Sequence, residues 1–556
     1  MMQARRIIII MLITGIAALS IYRGVVWRRE LYTATAEIRF TRNVGNAYIW
    51  GRYARAAGVF NIYERLQENG VQLPAYFPLD YPPLRLAAVT VWQGWTERHF
   101  PGSKQWQPEY EFTAPLLWGN TVAALVSSVL VFLLIRMWAI RMDDATRPAD
   151  VAPRLLRGAW SGLIGAMLLW FNPAALCDGY IWGQWEIWLA PFFLGAVYLA
   201  SLDWWFAAGA CLAIGACLKG QLLLAAPILI LWQLFQWRIG AVLRLLAGLM
   251  FAAALIAFPW LKLTPAAFTW YMLMLGAAGL LVPFTVRWRI KPRWLIPVYL
   301  GAIAMAWPWT SSVSYALRAL PAALLGLIAL GRFLPARLLP HLYAASVAAA
   351  ILLTIPLFQG KTAWFTQGFG FGVDHSPRIH DQATYSMLTV VQTYLAWPND
   401  RTQLIDAPLV GKTELRKLAV GIYVFCLLLC GAGAALHDRR RDTRFLIAVS
   451  LPWLLFFLVL PQMQSRYLVF AAVMSSVLFA AGFGLGLLGV IVSIIGGLGV
   501  LEDAYRNQGG RPPITQSLPS LQTLQAIDPH IGWMLLMVAL ILLYHAVAPR
   551  KRKVLS

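Results

Sequence analysis

Long apolar runs recur along most of this chain, and many of the short loops between them carry lysine and arginine. A bilayer crossing needs about 20 apolar residues. Runs of roughly that character lie near 7–27, 115–135, 158–177, 186–202, 204–218, 221–237, 239–259, 267–285, 294–310, 314–331, 340–358, 416–436, 445–461, 467–484, 485–500 and 531–548. In hydrocarbon no water serves the backbone, so such segments must close their own hydrogen bonds as helices. The chain has 60% hydrophobic and 13% charged residues, against about half and a quarter in soluble domains. Its 556 residues would make several soluble domains, but the runs favour one membrane domain with loops. The expected fold is an all-α polytopic membrane protein with about 13–16 transmembrane helices and partly helical outer loops.

Charge sets the threading. The net charge is +22. A basic balance can indicate nucleic-acid binding, but here the bases sit in short loops between spans, as the positive-inside rule describes. With the N-terminus inside, alternation puts Arg5/Arg6, the stretch Arg136 to Arg157, Arg238, Arg287-Arg289-Lys291-Arg293, Arg332/Arg337, Arg439-Arg440-Arg441 with Arg444, and Arg550-Lys551-Arg552-Lys553 on one side. The expected organisation is a first transmembrane helix (1–27), a large outer loop with short helices (28–114), a transmembrane core (115–358), a second outer loop (359–415), further transmembrane helices (416–500), an outer loop (501–530), and a last helix with a basic cytoplasmic tail (531–556). No clean small-x-small cleavage site precedes Arg28-Arg29-Glu30, so the first run is expected to be retained. Within the first outer loop, Asn46 to Glu68 has helical character and ends at Asn69-Gly70, a turn signal. Trp92, Trp95 and Trp106 are expected as an interfacial belt. The five cysteines all lie in or beside apolar segments and form no disulfide or zinc framework.

Four motifs fall at outer ends of spans. In Pro78-Leu79-Asp80-Tyr81-Pro82-Pro83-Leu84, the paired prolines hold Asp80-Tyr81 extended, and Pro83 can open a helix. In Asp178-Gly179-Tyr180-Ile181-Trp182-Gly183-Gln184-Trp185-Glu186, two carboxylates eight apart share a face if the segment is helical, and acids at membrane depth are functional suspects. Lys219-Gly220-Gln221 carries an outer lysine against the charge trend, suited to a phosphate. Met463-Gln464-Ser465-Arg466-Tyr467 carries an outer arginine, suited to gripping phosphate through paired donors. The bland alternatives are helix-cap, snorkelling and interfacial-anchor roles. The loop 359–415 adds Lys361, Trp364, Asp374, His375, Arg378, His380, Asp381 and Tyr385. There, sugar or lipid-head contact through Trp364 and Arg378 is favoured over a metal site.

Taken in order, these motifs resemble the GT-C class of polytopic membrane glycosyltransferases, which use polyprenyl-phosphate sugars. Leu79 to Leu84 is similar to a string in glucosyltransferases that build lipid-linked oligosaccharide. Trp182-Gly183-Gln184-x-Glu186 followed by Lys219-x-Gln221 resembles a bacterial W-G-Q-x-D … K-x-Q pattern, and Met463 to Tyr467 resembles M-H-E-R-Y. Tyr48 to Tyr63 resembles the segment leading to the Y-P-P element. The chain departs from the pattern in three places. Asn43-Val44-Gly45-Asn46 stands where the family carries an early acid, Gln464-Ser465 replaces H-E, and Glu186 replaces Asp.

The resemblance implies transfer of a sugar from a polyprenyl-phosphate donor to a lipid-linked glycan or other surface acceptor, in a bacterial inner membrane, with the site facing the periplasm or exterior. Asp80 is the first choice for base and Asp178 the second, with Glu37 a further acid nearby. Tyr81, Trp182, Gln184, Glu186, Lys219, Gln221, Trp364, Arg378, Arg466 and Tyr467 are expected to bind substrate, with no metal or cofactor. The alternatives are a transporter or lipid flippase, or a non-catalytic glycolipid-binding protein. Inverted repeats and midplane charges would mark a transporter, and neither is evident.

Overall fold

A computed structural model describes residues 2–36, 39, 42–69, 79–143, 151–260, 363–370, 385–387, 390, 404–407, 411–461, 463–507 and 521–548. Among the described residues six helices are long and apolar enough to cross a membrane: Tyr110–Arg141, Gly158–Tyr180, Ile239–Ala257, Leu415–Arg439, Phe483–Ala504 and His530–Val547. Five shorter apolar helices accompany them, at Glu186–Ser201, Trp205–Leu218, Leu222–Leu234, Phe445–Val459 and Ser465–Ala480. The chain is a helical, polytopic, membrane-embedded protein. The expected runs at 267–285, 294–310, 314–331 and 340–358 lie outside the described residues, so the span total of the sequence reading is neither reached nor contradicted.

The first twelve helices are α1 (Met2–Ala34), α2 (Arg42–Ala57), α3 (Ile62–Asn69), α4 (Pro83–His99), α5 (Tyr110–Asp143), α6 (Val151–Trp170), α7 (Pro173–Tyr180), α8 (Ala190–Ser201), α9 (Trp205–Leu218), α10 (Leu222–Ala225), α11 (Pro227–Leu234) and α12 (Ile239–Ala257). A two-stranded antiparallel hairpin, β1 (Leu404–Ala407) with β2 (Gly411–Glu414), leads into the Leu415–Arg439 helix. The first loop region is not one helix from 46 to 68. It breaks at Gly58, whose φ of +85° suits a residue without Cβ.

Close packing follows from small residues. A Cβ on Gly209 of α9 would lie 1.9 Å from the Leu245 carbonyl oxygen, and one on Gly248 of α12 would lie 1.9 Å from that of Phe206. The two helices therefore touch backbone to backbone, as small residues allow in membranes. The chain between α6 and α7 breaks at Asn172-Pro173. Asn172 caps α7 by accepting from the Ala174 and Ala175 amides at 3.1 and 3.3 Å. Its side-chain amide donates to the Ala472 carbonyl (3.1 Å) and to Ser493 (2.9 Å). One residue thus satisfies a helix end and ties it to two other helices.

Helix ends sort onto two faces. On one, Arg141 donates to the Ser201 carbonyl, Gln236 to Asp438 (2.8 Å), Arg439 to the Phe235 carbonyl (2.9 Å) and Arg444 to the Ala548 carbonyl (3.1 Å). We call this the basic face. On the other, Trp260, in the short turn that follows α12, donates to the Val59 carbonyl (3.1 Å), and Gln367 to the Tyr63 carbonyl (3.2 Å). Among the described residues, Arg141, Arg439 and Arg444 fall together as the charge alternation has them; the clusters at 287–293, 332–337 and 550–553 lie outside the described residues. The second face carries its own apolar cap around Tyr48, Trp50, Tyr63, Tyr81, Trp92 and Phe112, backed by Trp185 and Trp260. Trp92 is 2% exposed and donates to the Phe112 carbonyl at 2.9 Å. That corrects the expected interfacial belt: Trp92 is core of the cap, because its ring packs edge-on against Tyr48 and Phe112.

Candidate functional site

The site grows from the turn between α7 and α8. The helix stops at Tyr180, and both the Ile181 and Trp182 amides donate to the Cys177 carbonyl. Gly183 then adopts φ +69°, and the Gln184 amide returns to the Asp178 carbonyl at 3.0 Å. Asp178 and Glu186 therefore do not meet by helical spacing. A turn folds them together, and the Glu186 amide donates to Asp178 Oδ2 at 3.2 Å. The glycine makes this reversal possible without steric cost.

Both acids are buried, Asp178 at 0% and Glu186 at 1% exposure. Isolated buried carboxylates are expensive. Lys219, which caps α9 and is itself buried, forms an ion pair with Glu186 Oε1. Its ammonium also sits over the Tyr467 and Phe470 rings, at 5.2 and 5.8 Å from their centroids. Asp178 Oδ1 and Glu186 Oε2 remain buried without a hydrogen-bond partner.

Two arginines complete the group. Arg85 on α4 donates to Gln184 Oε1 at 2.9 Å, and its guanidinium lies 4.4 Å from the Tyr81 ring centroid and 5.0 Å from that of Trp185. Half-buried Arg466 faces the Tyr467 and Trp182 rings at 5.2 and 5.9 Å. The Nε atoms of both arginines lack partners. From α2, Asn43 turns its side-chain oxygen inward and accepts from Trp182 Nε1 (2.8 Å), Arg466 Nη1 (3.1 Å) and Gln184 Nε2 (2.7 Å). This amide orientation is the one that turns the Asn43 oxygen toward donors.

The Tyr81 element forms the rim. Asp80 is exposed, and Tyr81 is buried beneath Arg85. Tyr63 donates its hydroxyl to the Tyr81 carbonyl. Burial pushes the Tyr81 phenol up to about 12, opposed by Arg85 and Arg466, while the charge of Asp80 adds to the rise. Burial also raises the Tyr63 phenol, with Asp80 next in effect. Both Asp80 and Arg466 thus act on the Tyr81 hydroxyl. The Ala363–Gly370 segment packs on this rim: a Cβ on Gly368 would meet Pro82 Cα and the Tyr81 oxygen at 3.1 Å.

Of the expected residues, the structure brings together Asp178, Trp182, Gln184, Glu186, Lys219, Arg466 and Tyr467, with Asp80 and Tyr81 at the edge. Trp364 packs in the cap cluster, and its Nε1 has no partner. Gln221 sits at the start of α10 without a side-chain capping bond. Arg378, Glu37, Lys361 and the His/Asp pairs of 374–381 lie outside the described residues. Among the described residues no group of His, Cys, Asp and Glu is placed to hold a metal ion. Sequence reasoning missed Arg85 and gave Asn43 no role. A charged residue within Leu84-Arg85-Leu86-Ala87-Ala88 was the available signal for the first. In comparison with known proteins, no family model and no curated protein matches this chain.

Proposed function

We propose that the chain is a membrane glycosyltransferase that moves a sugar from a polyprenyl-phosphate donor to a hydroxyl of a lipid-linked glycan or surface acceptor. One observation carries the reading. Three cations, Lys219, Arg466 and Arg85, converge on a buried acidic turn at the ends of apolar helices, and Arg466 is only half-buried. Cations there suit a phosphate whose lipid tail lies among the helices. By the positive-inside rule the basic face is cytoplasmic and the site faces the periplasm or exterior of a bacterial inner membrane.

In the reaction, the acceptor oxygen bonds to the anomeric carbon as the bond from that carbon to the phosphate oxygen breaks. The electron pair leaves with the phosphate, and the hydroxyl proton passes to a carboxylate. Asp80 suits the base role because it is exposed, whereas Asp178 is sealed and Glu186 is paired with Lys219. Lys219 and Arg466 stabilise the charge developing on the phosphate. The test is sugar transfer in reconstituted vesicles. Asp80→Asn is expected to lose transfer while retaining donor binding. Undiminished transfer by both Asp80→Asn and Asp178→Asn would remove the base assignment. One observation favours a second reading, a non-catalytic glycolipid-binding protein: a neutral Asn43, not an acid, meets Arg466. Donor binding without turnover would select it.

A further inference from the structure

Asn43 receives an unusual load. Three N–H groups, from an indole, a guanidinium and a carboxamide, converge on its single amide oxygen at 2.7–3.1 Å. An amide oxygen offers two lone pairs, so its accepting capacity is fully used. The chain of bonds has one direction throughout. Arg85 donates to Gln184, Gln184 donates to Asn43, and Arg466 donates to Asn43 from the other side. Asn43 is the acceptor where both arginine-bearing strands of the network end.

A carboxylate would accept the same three donors and would also pair electrically with Arg466. Asparagine fixes the donors without that neutralisation. Among the described residues of the site, the cations Arg85, Lys219 and Arg466 face the carboxylates Asp178 and Glu186. Within this group the formal balance is one positive charge, which an acid at position 43 would cancel; Asp80, exposed at the rim, stands outside the group. Glu186 already holds Lys219, and Arg466 keeps an unpartnered Nε and partial exposure.

We propose that Asn43 is a neutral positioning residue that clamps Arg466 and Gln184 while leaving the site an unneutralised positive charge for an anionic, phosphate-bearing ligand. The inference rests on the phosphate part of the proposed function and not on its catalytic step. A purely structural role predicts that Asn43→Asp is harmless or stabilising, since its oxygens keep the three hydrogen bonds. The charge role predicts that the same variant loses anion affinity although the fold is kept.

The experiment titrates the detergent-solubilised full chain with a short-chain prenyl monophosphate, in wild type, Asn43→Asp and Asn43→Ala, at low and high salt, with thermal unfolding in parallel. Asn43→Asp is expected to bind the probe roughly tenfold more weakly at low salt, with the gap narrowing at high salt and the unfolding temperature unchanged or higher. Asn43→Ala is expected to lose affinity and unfold earlier. Equal or tighter binding by Asn43→Asp would overturn the proposal while leaving the proposed function standing. No binding by wild type would overturn the proposal together with the phosphate reading. Binding by wild type that falls in Asn43→Asp, without sugar transfer by either, would support the clamp and count against the enzyme alone.

Discussion

The two faces of the helical bundle use the same kinds of residue to opposite ends. On the basic face, Asp438 Oδ2 accepts from Trp232 (3.0 Å) and Gln236 (2.8 Å), and Asp442 Oδ1 accepts the Arg444 amide (3.0 Å). Arg439 and Arg444 donate to backbone carbonyls of neighbouring helices. No buried carboxylate oxygen there lacks a partner among the described residues. On the site face, Asp178 and Glu186 each keep a buried oxygen unpartnered, and Arg85 and Arg466 each keep an unpartnered nitrogen. The first face pairs its carboxylate oxygens and ties helix ends together, while Gln233 and His437 Nδ1 stay unpartnered there. The second leaves buried atoms of both carboxylates and both arginines unpaired.

The largest effect is expected at the Lys219–Glu186 pair. Lys219→Met leaves Glu186 as an uncompensated buried charge, which costs about 3–5 kcal/mol. Lys219→Met with Glu186→Gln should recover most of that loss in denaturant unfolding, and a double variant no better than the single would deny the pairing. On the opposite face, Asp438→Asn removes the charged acceptor shared by Trp232 and Gln236. It should cost about 1–3 kcal/mol and leave binding of a prenyl phosphate unchanged. A loss of binding equal to that of site variants would erase the distinction between the faces.

Asp442 on the basic face makes stability depend on pH. Burial works to raise the Asp442 carboxyl, but the His437 ring 3.6 Å away, the bond from the Arg444 amide and the charge of Arg444 outweigh it and hold the group below the usual carboxylate range. A group depressed in the folded state contributes stability above its unfolded value of about 3.9, and that contribution is lost as pH falls through the folded value. Asp442→Asn should flatten this acid-side loss in thermal unfolding, and an unchanged pH profile would contradict it. The smallest effect belongs to Arg238, whose 4.0 Å pair with Asp203 is half-exposed at both ends. Arg238→Ala should cost less than about 1 kcal/mol.

Much of the frame was legible in the sequence. The runs at 239–259 and 445–461 became Ile239–Ala257 and Phe445–Val459, because apolar content and backbone satisfaction are local matters. Among the described residues, Arg141, Arg238, Arg439 and Arg444 grouped onto one face for the same reason. The site was legible only as separate motifs. Asp178 and Glu186 meet through a glycine turn and not a helix face, and periodicity carries no sign of that reversal. Asn43 and Arg466 lie more than four hundred positions apart, so their contact belongs to packing alone. Asn172-Pro173, a cap followed by a helix-opening proline, was a readable signal, yet it lay hidden inside an otherwise continuous apolar run.

In the proposed function, the site face grips a phosphate-linked sugar donor and transfers its sugar. The most direct measurement is transfer from a polyprenyl-phosphate sugar donor series in vesicles containing wild-type protein or Arg466→Ala, with folding checked in parallel. Transfer by wild type that falls at least tenfold in a folded Arg466→Ala variant is the predicted result. Equal transfer by both, or movement of the donor across the bilayer with no sugar transferred, would contradict it.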